Sequence, residues 1–336
     1  MTIAISRARK VAKQVLHRAG VPDAHATLQI DLLLEAELRG RPSHGLLRLP
    51  RIVERIHNDV TDPHTIGEHS WRSQAYLDVD GKMGLGPVVA CVALDAICER
   101  ARETGVAIAA IHNNNHLGMM AWYAERIATR GLTLIALSTS EALVHPWGGR
   151  RAMLGTNPIA IGVPASPRPF VVDMATSLVS MGQIHDHAHR KVRIPPNWAL
   201  DANGEATTDA AAARDGAVAP FGEAKGYALG LAFEVLVASL TASALGRNVR
   251  GTLDSTHPCN KGDVFIVIDT STSGTMADAI GAYLDEIRNG SPARGFNNVA
   301  IPGDRSLAVR EQRLKEGMPV AEEVWTRLLH LAGETN

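Results

Sequence analysis

The stretch that decides the fold is Val106-Ala107-Ile108-Ala109-Ala110-Ile111, which runs directly into His112-Asn113-Asn114-Asn115-His116-Leu117-Gly118. Six apolar residues that end in a polar turn predict a buried strand whose end presents side chains to a ligand. The pattern continues as a helix over residues 117–130, and backbone N–H groups at a helix start suit a phosphate or a carboxylate. Asn side chains also cap helices, so a turn rich in capping residues is the other interpretation.

Elements on either side of this stretch alternate irregularly. Apolar periodicity predicts further helices over residues 6–19, 23–38, 45–58, 87–103, 222–244, 276–289 and 321–332. Strands are predicted at residues 75–80, 132–137, 159–163, 170–173 and 263–268, and loops at 185–221 and 290–303. The strands are short and are not regularly separated by helices, which argues against a fully parallel, doubly wound sheet. The fold class is therefore mixed α/β, with helical segments at both ends of a central sheet.

The segment Gly84-Leu85-Gly86-Pro87 invites comparison with the dinucleotide-binding glycine fingerprint, because it lies between a predicted strand and a predicted helix. The comparison fails in detail. Val89 takes the place of the third glycine, and Pro87 removes a backbone N–H that a pyrophosphate would use. No Gly-x-x-x-x-Gly-Lys-Ser/Thr sequence occurs either, which excludes a P-loop.

Residues 41–51, Arg-Pro-Ser-His-Gly-Leu-Leu-Arg-Leu-Pro-Arg, place a hydroxyl, an imidazole and a guanidinium close together. Ser43 is a good N-cap residue and predicts a helix start. At a helix start the pKa of the His44 imidazole would fall, so that the ring exchanges a proton near neutral pH. Arg48, four residues later, would lie on the same helix face as His44. A proton donor beside a carboxylate clamp is what reduction of a 2-oxo acid needs. A capped surface helix with a stray basic residue is the plainer interpretation.

Two single residues stand at the ends of predicted elements. Asp173 ends a predicted strand, a position that often faces a ligand, although a loop-capping Asp is the default interpretation. Lys225 opens the long apolar helix, where a lysine opposes the helix dipole. That local cost suggests an anionic partner, and a simple surface lysine is the alternative.

The run His185-Asp186-His187-Ala188-His189 suggests a metal site, because alternate residues of an extended segment share one face. No second cluster of ligands stands out in the sequence. The flanking Arg190, Lys191 and Arg193 oppose a cation. A solvated polar loop is therefore the better prediction.

Composition restricts the function classes. The formal net charge is −1 with no basic block, which argues against a nucleic-acid partner. Three cysteines, none of them in a Cys-x-x-Cys pair, fit a reduced cytoplasmic chain without disulfides or a structural zinc. The N-terminus lacks a signal-peptide core. The longest apolar stretch, residues 227–245, contains Glu234 and helical periodicity, so we predict a buried core helix and no membrane span.

Six short segments, taken in order, resemble the malate/L-lactate dehydrogenase-like family, the type-2 group that is distinct from the Rossmann lactate and malate dehydrogenases. Its members include ureidoglycolate dehydrogenase, diketogulonate reductase, sulfolactate dehydrogenase and the Δ1-piperideine-2-carboxylate and Δ1-pyrroline-2-carboxylate reductases. Each segment is weak alone, but six in order are specific. They are Ser43-His44-Gly45 with Arg48, Asn115-His116-Leu117-Gly118, Gly155-Thr156-Asn157-Pro158, Asp173-Met174-Ala175-Thr176-Ser177, Trp198-Ala199-Leu200-Asp201, and Gly222 with Lys225-Gly226-Tyr227.

The resemblance implies a fold, a cofactor and an assembly. It implies a non-Rossmann nicotinamide-binding domain with a mixed, largely antiparallel sheet, which explains the failed glycine comparison. It also implies NAD or NADP without a metal, a small carboxylate substrate, and a cytoplasmic homodimer with its active site near the subunit interface. On this basis residues 1–70 form a helical segment with the catalytic motif, and 71–220 form the central cofactor-binding sheet domain. Residues 221–336 complete the cofactor and dimer regions.

Carried over by position, the resemblance gives each site residue a role. His44 is the proton donor, Ser43 belongs to its relay, and Arg48 binds the substrate carboxylate. His116 is a second acid/base candidate. Further substrate contacts are Thr156, Met181, Gly182 and Gln183. The cofactor contacts are His116, Leu117, Gly118, Met119, Met120, Ser140, Asp173, Met174, Ala175, Lys225, Asn298, Pro302 and Gly303.

One position departs from the family pattern. After Met181-Gly182 the imine-reducing members resemble Gly-Asp, and that Asp completes the relay, whereas Gln183 here carries no charge. Many hydroxy-acid members have Lys at this position. We therefore predict hydride transfer between nicotinamide and C2 of a small 2-hydroxy or 2-oxo acid of the malate, lactate, ureidoglycolate or sulfolactate type. Reduction of the cyclic imines Δ1-pyrroline-2-carboxylate or Δ1-piperideine-2-carboxylate is the alternative. A metal-dependent lyase or hydrolase that uses His185, His187 and His189 is the alternative of another class.

Overall fold

The computed structural model describes residues 1–271 and 276–334, and helices and strands both contribute to its cores. The strands are β1 (Thr2–Ile3), β2 (Glu68–Ser73), β3 (Tyr76–Asp80), β4 (Val106–His112), β5 (Leu132–Ser138), β6 (Ile159–Val163), β7 (Phe170–Met174), β8 (Ala199–Leu200), β9 (Ala217–Val218), β10 (Asp263–Asp269) and β11 (Met318–Pro319). The helices are α1 (Ile5–Arg18), α2 (Asp23–Leu38), α3 (Leu49–His57), α4 (Gly86–Thr104), α5 (Ala121–Thr129), α6 (Met181–His189), α7 (Ala210–Ala213), α8 (Ala224–Thr241), α9 (Ala277–Arg288), α10 (Asp304–Glu316) and α11 (Glu322–Ala332).

The central sheet has seven strands in the order β2-β3-β4-β10-β5-β6-β7. Strand β10 runs antiparallel to both of its neighbours, and only β3 and β4 pair in parallel among the described strands. Asp263, the first residue of β10, pairs with Ile111 near the end of β4 and with Ser138 at the end of β5. The predicted mixed, mostly antiparallel sheet is confirmed, and the polar turn after β4 lies beside the start of β10.

Four apolar cores hold the described residues together, and the smallest joins Val237 of α8 to Leu137 and Val264 of the sheet. Helices α4 and α5 pack on the sheet through a large apolar cluster that includes Leu94, Tyr123 and Phe265. A second core joins α1, α2, α3 and α11, and the two ends of the chain meet there because β1 pairs with β11. A third, smaller core around Ile184 lies within residues 143–218. The helical second core adjoins the sheet, since α2 contributes apolar residues to both clusters.

Most of the predicted elements are confirmed to within a few residues, and α2 matches its prediction at both ends. Several elements are absent from the sequence-based prediction, among them β2 and α10. Every residue of β2 is exposed, and α10 has no buried residue, so neither carries an apolar period that would reveal it. The prediction at residues 276–289 corresponds to α9.

The predicted loop at residues 185–221 is wrong in part, because short elements interrupt it. This segment forms α6, β8, α7 and β9. A capping box starts α6: the Ser180 hydroxyl accepts the Gln183 backbone N–H at 3.2 Å, and the Gln183 side chain accepts the Ser180 backbone N–H at 3.2 Å. The histidine run therefore lies on a helix, where residues two apart point to different sides.

The prediction that residues 227–245 form a buried core helix is also wrong. By length and composition alone, α8 is one helix in the described part of the chain that could cross a membrane, but only 33% of its apolar window is buried. Leu229, Val235 and Leu236 are exposed on its outer side. The helix is apolar all around, so periodicity alone could not distinguish its buried side from its exposed side.

Candidate active site

The residues 42–48 form two successive 3-10 turns, Pro42–His44 and Leu46–Arg48, before α3 begins at Leu49. The predicted helix start with Ser43 as its cap is therefore wrong, since the Ser43 side chain caps no backbone group. A buried carboxylate from α2 takes that place, because Glu37 Oε1 accepts the Leu46 N–H at 2.8 Å. Without that helix Arg48 shares no helix face with His44, but its charge acts on the His44 ring and its Nε donates to the Ser43 carbonyl at 2.7 Å.

His44 and His116 form the centre of the site. Their rings stack with centroids 5.4 Å apart and planes 13° apart. Burial, followed by the charges of Arg48 and Arg41, lowers the pKa of His44 to about 4. Burial and the charges of Arg48, His44 and Lys261 lower the pKa of His116 well below its usual value. Both imidazoles are therefore neutral at physiological pH.

Hydrogen bonding selects the tautomer of His116. The Gly118 N–H donates to His116 Nδ1 at 3.0 Å, so that nitrogen is an acceptor. In a neutral ring the proton must then reside on Nε2. By contrast, His44 Nδ1 is buried with no hydrogen-bond partner among the described residues. One ring is thus fixed as a donor at Nε2, and the other retains an unused nitrogen.

The loop that carries His116 is held from two sides. Arg55 of α3 donates to Asn115 Oδ1 from Nε at 3.1 Å and from a terminal nitrogen at 2.9 Å. Asn115 in turn donates to the carbonyls of Met83 and Gly84. A Cβ at Gly86 would overlap the His116 carbonyl. Hence the glycine segment 84–86 is used to pack this loop closely.

Helix α5 begins at Ala121, so the predicted helix start at residue 117 is wrong by about one turn. Asp173, at the end of β7, supplies the reason. Its Oδ2 accepts the Ala121 N–H at 2.7 Å. Burial raises the pKa of Asp173, and the backbone N–H groups of Ala121 and Met120 oppose that shift. The anion predicted at this helix start is therefore a carboxylate of the chain itself.

Ser140, predicted to contact the cofactor, and Thr156, predicted to contact the substrate, are hydrogen-bonded to each other. The Ser140 hydroxyl accepts the Thr156 N–H at 3.0 Å, and the two hydroxyl oxygens are 3.4 Å apart. The buried carboxylate of Glu234, from α8, holds the same loop. It accepts from the Asn157 side chain at 2.7 Å and from the Gly155 N–H at 3.2 Å. Glu234 therefore ties α8 to the loop that carries Thr156.

The start of α6 approaches the histidine pair. A Cβ at Gly182 would lie 3.5 Å from Ser43 Cβ, in ordinary contact. The amide oxygen of Gln183 is engaged by the cap at Ser180. The predicted relay residue Ser43 and the predicted substrate residue Gly182 thus lie together, and Gln183 serves as a helix cap.

Of the remaining predicted cofactor residues, Gly303 lies beside β7. A Cβ at Gly303 would lie 3.5 Å from the Val171 carbonyl, two residues before Asp173. Lys225, Asn298 and Pro302 are exposed, and within residues 1–271 and 276–334 they make no hydrogen bond or ion pair. Within the same ranges no group of three His, Cys, Asp or Glu side chains is arranged to hold a metal ion, so the histidine run provides no ligand set.

Sequence reasoning missed a buried charge network beneath the site. Lys261 binds both carboxylate oxygens of Asp263, and both residues are almost fully buried. Asp263 also accepts from Ser138 Oγ at 2.6 Å and from Asn114 Nδ2 at 3.1 Å. The network joins the ends of β4 and β5 to the start of β10. Its only sequence signal is a pair of opposite charges directly before an apolar strand.

Known proteins are similar to this chain over nearly its whole length. Residues 3–329 match the malate/L-lactate dehydrogenase family. The chain is 33% identical to L-sulfolactate dehydrogenase of Methanocaldococcus jannaschii, covering 97% of this chain and 95% of that protein. It is 30% identical to ureidoglycolate dehydrogenase (NAD(+)) of Escherichia coli O157:H7, covering 95% of each. It is also 30% identical to Δ1-pyrroline-2-carboxylate reductase of Ancylobacter novellus, covering 97% of this chain and 96% of that one.

One solved structure is closer still in sequence. A dehydrogenase from Sinorhizobium meliloti superimposes with a TM-score of 0.95 at 51% identity, covering 99% of this chain and 98% of that one.

Proposed function

The chain belongs to the malate/L-lactate dehydrogenase family and is a nicotinamide-dependent oxidoreductase. We propose that it acts on a small 2-hydroxy or 2-oxo acid. The observation that carries the proposal is the neutral, stacked pair His44–His116 beside Arg48. Arg48 forms no ion pair with any acid in the described residues, so its terminal nitrogens are free for a carboxylate.

His44 exchanges the proton at the reacting oxygen. In oxidation it accepts the proton of the 2-hydroxyl, and in reduction it returns that proton to the alkoxide. In the free site, burial and the charge of Arg48 lower its pKa to about 4. A substrate carboxylate bound to Arg48 offsets that charge and raises the pKa of His44 toward neutrality. His116, whose proton is on Nε2, donates a hydrogen bond to the same oxygen.

Residues of the chain fit a nicotinamide cofactor between β7 and α8. Ser177 Oγ is buried without a partner among the described residues, directly after the predicted contacts Asp173, Met174 and Ala175. The exposed cation of Lys225 begins the adjoining helix. We propose that NAD or NADP binds here, on a non-Rossmann sheet, with residues 71–220 as its main domain. When bound, the nicotinamide supplies or accepts the hydride.

The glycine segment 84–86 is evidence that the cofactor binds elsewhere in the chain. Gly86 packs on the carbonyl of His116 so closely that even a Cβ would not fit, so a pyrophosphate has no room at that turn.

Lys225→Met should raise the KM for the nicotinamide cofactor several-fold and leave the KM for substrate unchanged. Lys191→Met, at an exposed lysine after α6, is the control.

The exposed side of α8 supports a homodimer. Leu229, Val235 and Leu236 form an apolar surface on the helix that begins with Lys225. A second copy of the chain would bury it and place the cofactor residues near the interface.

The three free cysteines, two of them buried, support a reducing cytoplasmic location.

A substrate panel tests the function. Purified protein is given pyruvate, oxaloacetate or Δ1-pyrroline-2-carboxylate with NADH or NADPH, and ureidoglycolate with NAD or NADP, while nicotinamide absorbance is followed. We expect turnover with an oxo or hydroxy acid. Turnover of the cyclic imine in preference would favour the second candidate, which the Ancylobacter relative supports. His44→Ala should abolish turnover, while His57→Ala, at an exposed position on α3, should not. Activity that survives His44→Ala would overturn the mechanism.

A further inference from the structure

A cavity of about 340 Å³ lies between α4 and α5, and none of its lining residues belongs to the predicted substrate or cofactor contacts. Leu94, Tyr123 and Ile127 form apolar walls and are buried in the core that packs on the sheet. Cys91 completes these walls, because burial raises the pKa of its thiol to about 12 and keeps the thiol protonated. Small-molecule sites occupy about 300–1,000 Å³, so the cavity is large enough for a small ligand with an apolar body.

Four charged side chains line the cavity, and three of them are matched by an opposite charge. Arg130 donates to Asp95 Oδ1 at 2.6 Å, and Glu125 accepts from Arg39 at the end of α2. Arg126 differs, because its guanidinium makes neither a hydrogen bond nor an ion pair within residues 1–271 and 276–334. The cavity therefore carries one uncompensated positive charge beside its apolar walls.

Trp122 holds that guanidinium in place. The Arg126 Cζ lies 4.4 Å from the centroid of the Trp122 ring, and this ring is itself buried in the core of α4 and α5. The ring face attracts the cation, while the guanidinium keeps a planar set of N–H donors that matches the two oxygens of a carboxylate. A carboxylate on Arg126, with its apolar body between the two helices, would fit both the charge and the walls.

Tyr123 connects the cavity with the active site. Its ring lines the cavity, and its hydroxyl donates to the Leu117 carbonyl at 2.7 Å, one residue after His116. The next residue, Gly118, donates its N–H to His116 Nδ1. A ligand that shifts the Tyr123 ring therefore acts on the loop that carries His116.

We propose that the cavity between α4 and α5 is a second ligand site, which binds a small monocarboxylate with an apolar body through Arg126 and alters turnover through Tyr123. The site is separate from the place where Arg48 holds the substrate carboxylate. Its existence does not depend on which acid the enzyme oxidises or reduces.

Calorimetric titration with 3-phenylpropanoate tests the site. Binding should be at least about tenfold tighter than that of 3-phenylpropanamide, which lacks the charge, and of acetate, which lacks the apolar body. Arg126→Gln should weaken the binding of 3-phenylpropanoate about 10- to 100-fold. Arg102→Gln, at an exposed arginine near the end of α4, is the charge-matched control and should bind as wild type. Cys91→Phe fills the cavity and should abolish binding, with Tm as the check on folding.

Arg48 offers a carboxylate another place to bind, and its variant separates the two sites. Arg48→Gln should change the affinity for 3-phenylpropanoate less than about twofold. Loss of binding in Arg48→Gln but not in Arg126→Gln would place the acid in the substrate site and overturn the second site. Equal affinity for the acid and its amide, or no binding to wild-type protein, would also overturn it. These titrations need no turnover, so they stand even where the proposed function fails.

Steady-state kinetics test the link to the active site. At saturating substrate 3-phenylpropanoate should change kcat of wild-type protein, because it does not compete for Arg48. Tyr123→Phe removes only the hydroxyl that holds Leu117, so it should keep the binding of 3-phenylpropanoate and lose the change in kcat. Purely competitive inhibition, an unchanged kcat, or a change in kcat that persists in Tyr123→Phe would overturn the role of Tyr123.

Discussion

The imidazole of His44 lies over that of His116, with ring centroids 5.4 Å apart, although the two residues come from separate parts of the chain. Because both rings would meet the same reacting oxygen, we expect them to act as one unit. His44→Gln and His116→Gln should each lower kcat by about 10²- to 10⁴-fold. The double variant should lose little more than the worse single variant, because residues that act together are strongly non-additive.

Steady-state kinetics on the three variants measure this coupling, with the Tm of each as the check on folding. Losses that multiply would mean that the two histidines act independently, and the stacked pair would then have only a packing role.

The lowered pKa of His44 makes the fold sensitive to acid. Burial and the charges of Arg48 and Arg41 hold that pKa at about 4, below its ordinary value of 6.5. The folded chain thus binds the proton more weakly than the unfolded chain, so stability falls as the pH drops from about 6.5 toward 4. At pH 4.5 the cost should be about 2 kcal/mol.

Urea unfolding at pH 7 and pH 4.5 measures that cost. The free energy of unfolding of wild-type protein should fall by about 2 kcal/mol more than that of His44→Gln. His57→Gln, at an exposed position, should behave as wild type. Equal acid sensitivity in wild type and His44→Gln would contradict the prediction.

Some helix ends follow from the neighbouring residues in the sequence, and others depend on residues distant in the sequence. The bounds of α2 follow from its own residues, since Asp23 begins it and Gly40 follows its end. The cap at Leu46 could not be predicted that way, because the acceptor is Glu37 and the adjacent Ser43 is the better local candidate. The start of α5 was likewise misplaced, because Asp173, on a strand 52 residues later, receives the Ala121 N–H.

The candidate site shows the same division. Residue type and order suffice to name His44, Arg48 and His116, and the structure brings them together. The buried side chains of Glu37 and Glu234 hold the turn after His44 and the loop of Thr156, yet Glu37 is one of several acids on α2 and Glu234 is a single acid on an apolar helix. Their roles depend on backbone N–H groups that only the folded chain brings within reach.

Gly45 and Glu37 should be energetically coupled. A Cβ at Gly45 would overlap the Glu37 carboxyl, which is buried and bonded to the Leu46 N–H. Gly45→Ala should therefore destabilise the protein by roughly 1–3 kcal/mol and lower kcat by displacing His44. Adding Glu37→Ala makes room for the new methyl group. The double variant should be more stable than the sum of the single effects predicts, as urea unfolding measures.

If the two effects simply add, the turn accommodates the new methyl group without displacing Glu37.

Burial raises the pKa of Glu37, so the folded chain favours its protonated form. Stability from this group is then present at low pH and is lost as the pH rises through the raised pKa. Glu37→Gln keeps an oxygen for Leu46, and its free energy of unfolding should fall less than that of wild type as the pH rises above 4.5.

Removing Lys261 alone should destabilise the fold strongly, whereas removing Lys261 and Asp263 together should destabilise it much less. Lys261→Met leaves a buried carboxylate whose remaining side-chain hydrogen bonds, among residues 1–271 and 276–334, come from Ser138 and Asn114, and such an unpaired buried charge costs about 3–5 kcal/mol. Lys261→Met combined with Asp263→Leu removes both charges and should recover much of that loss in urea unfolding. Because Asn114 then loses its acceptor two residues before His116, kcat should stay low even where stability returns. A double variant with restored stability and full kcat would show that the network only supports the sheet and does not position His116.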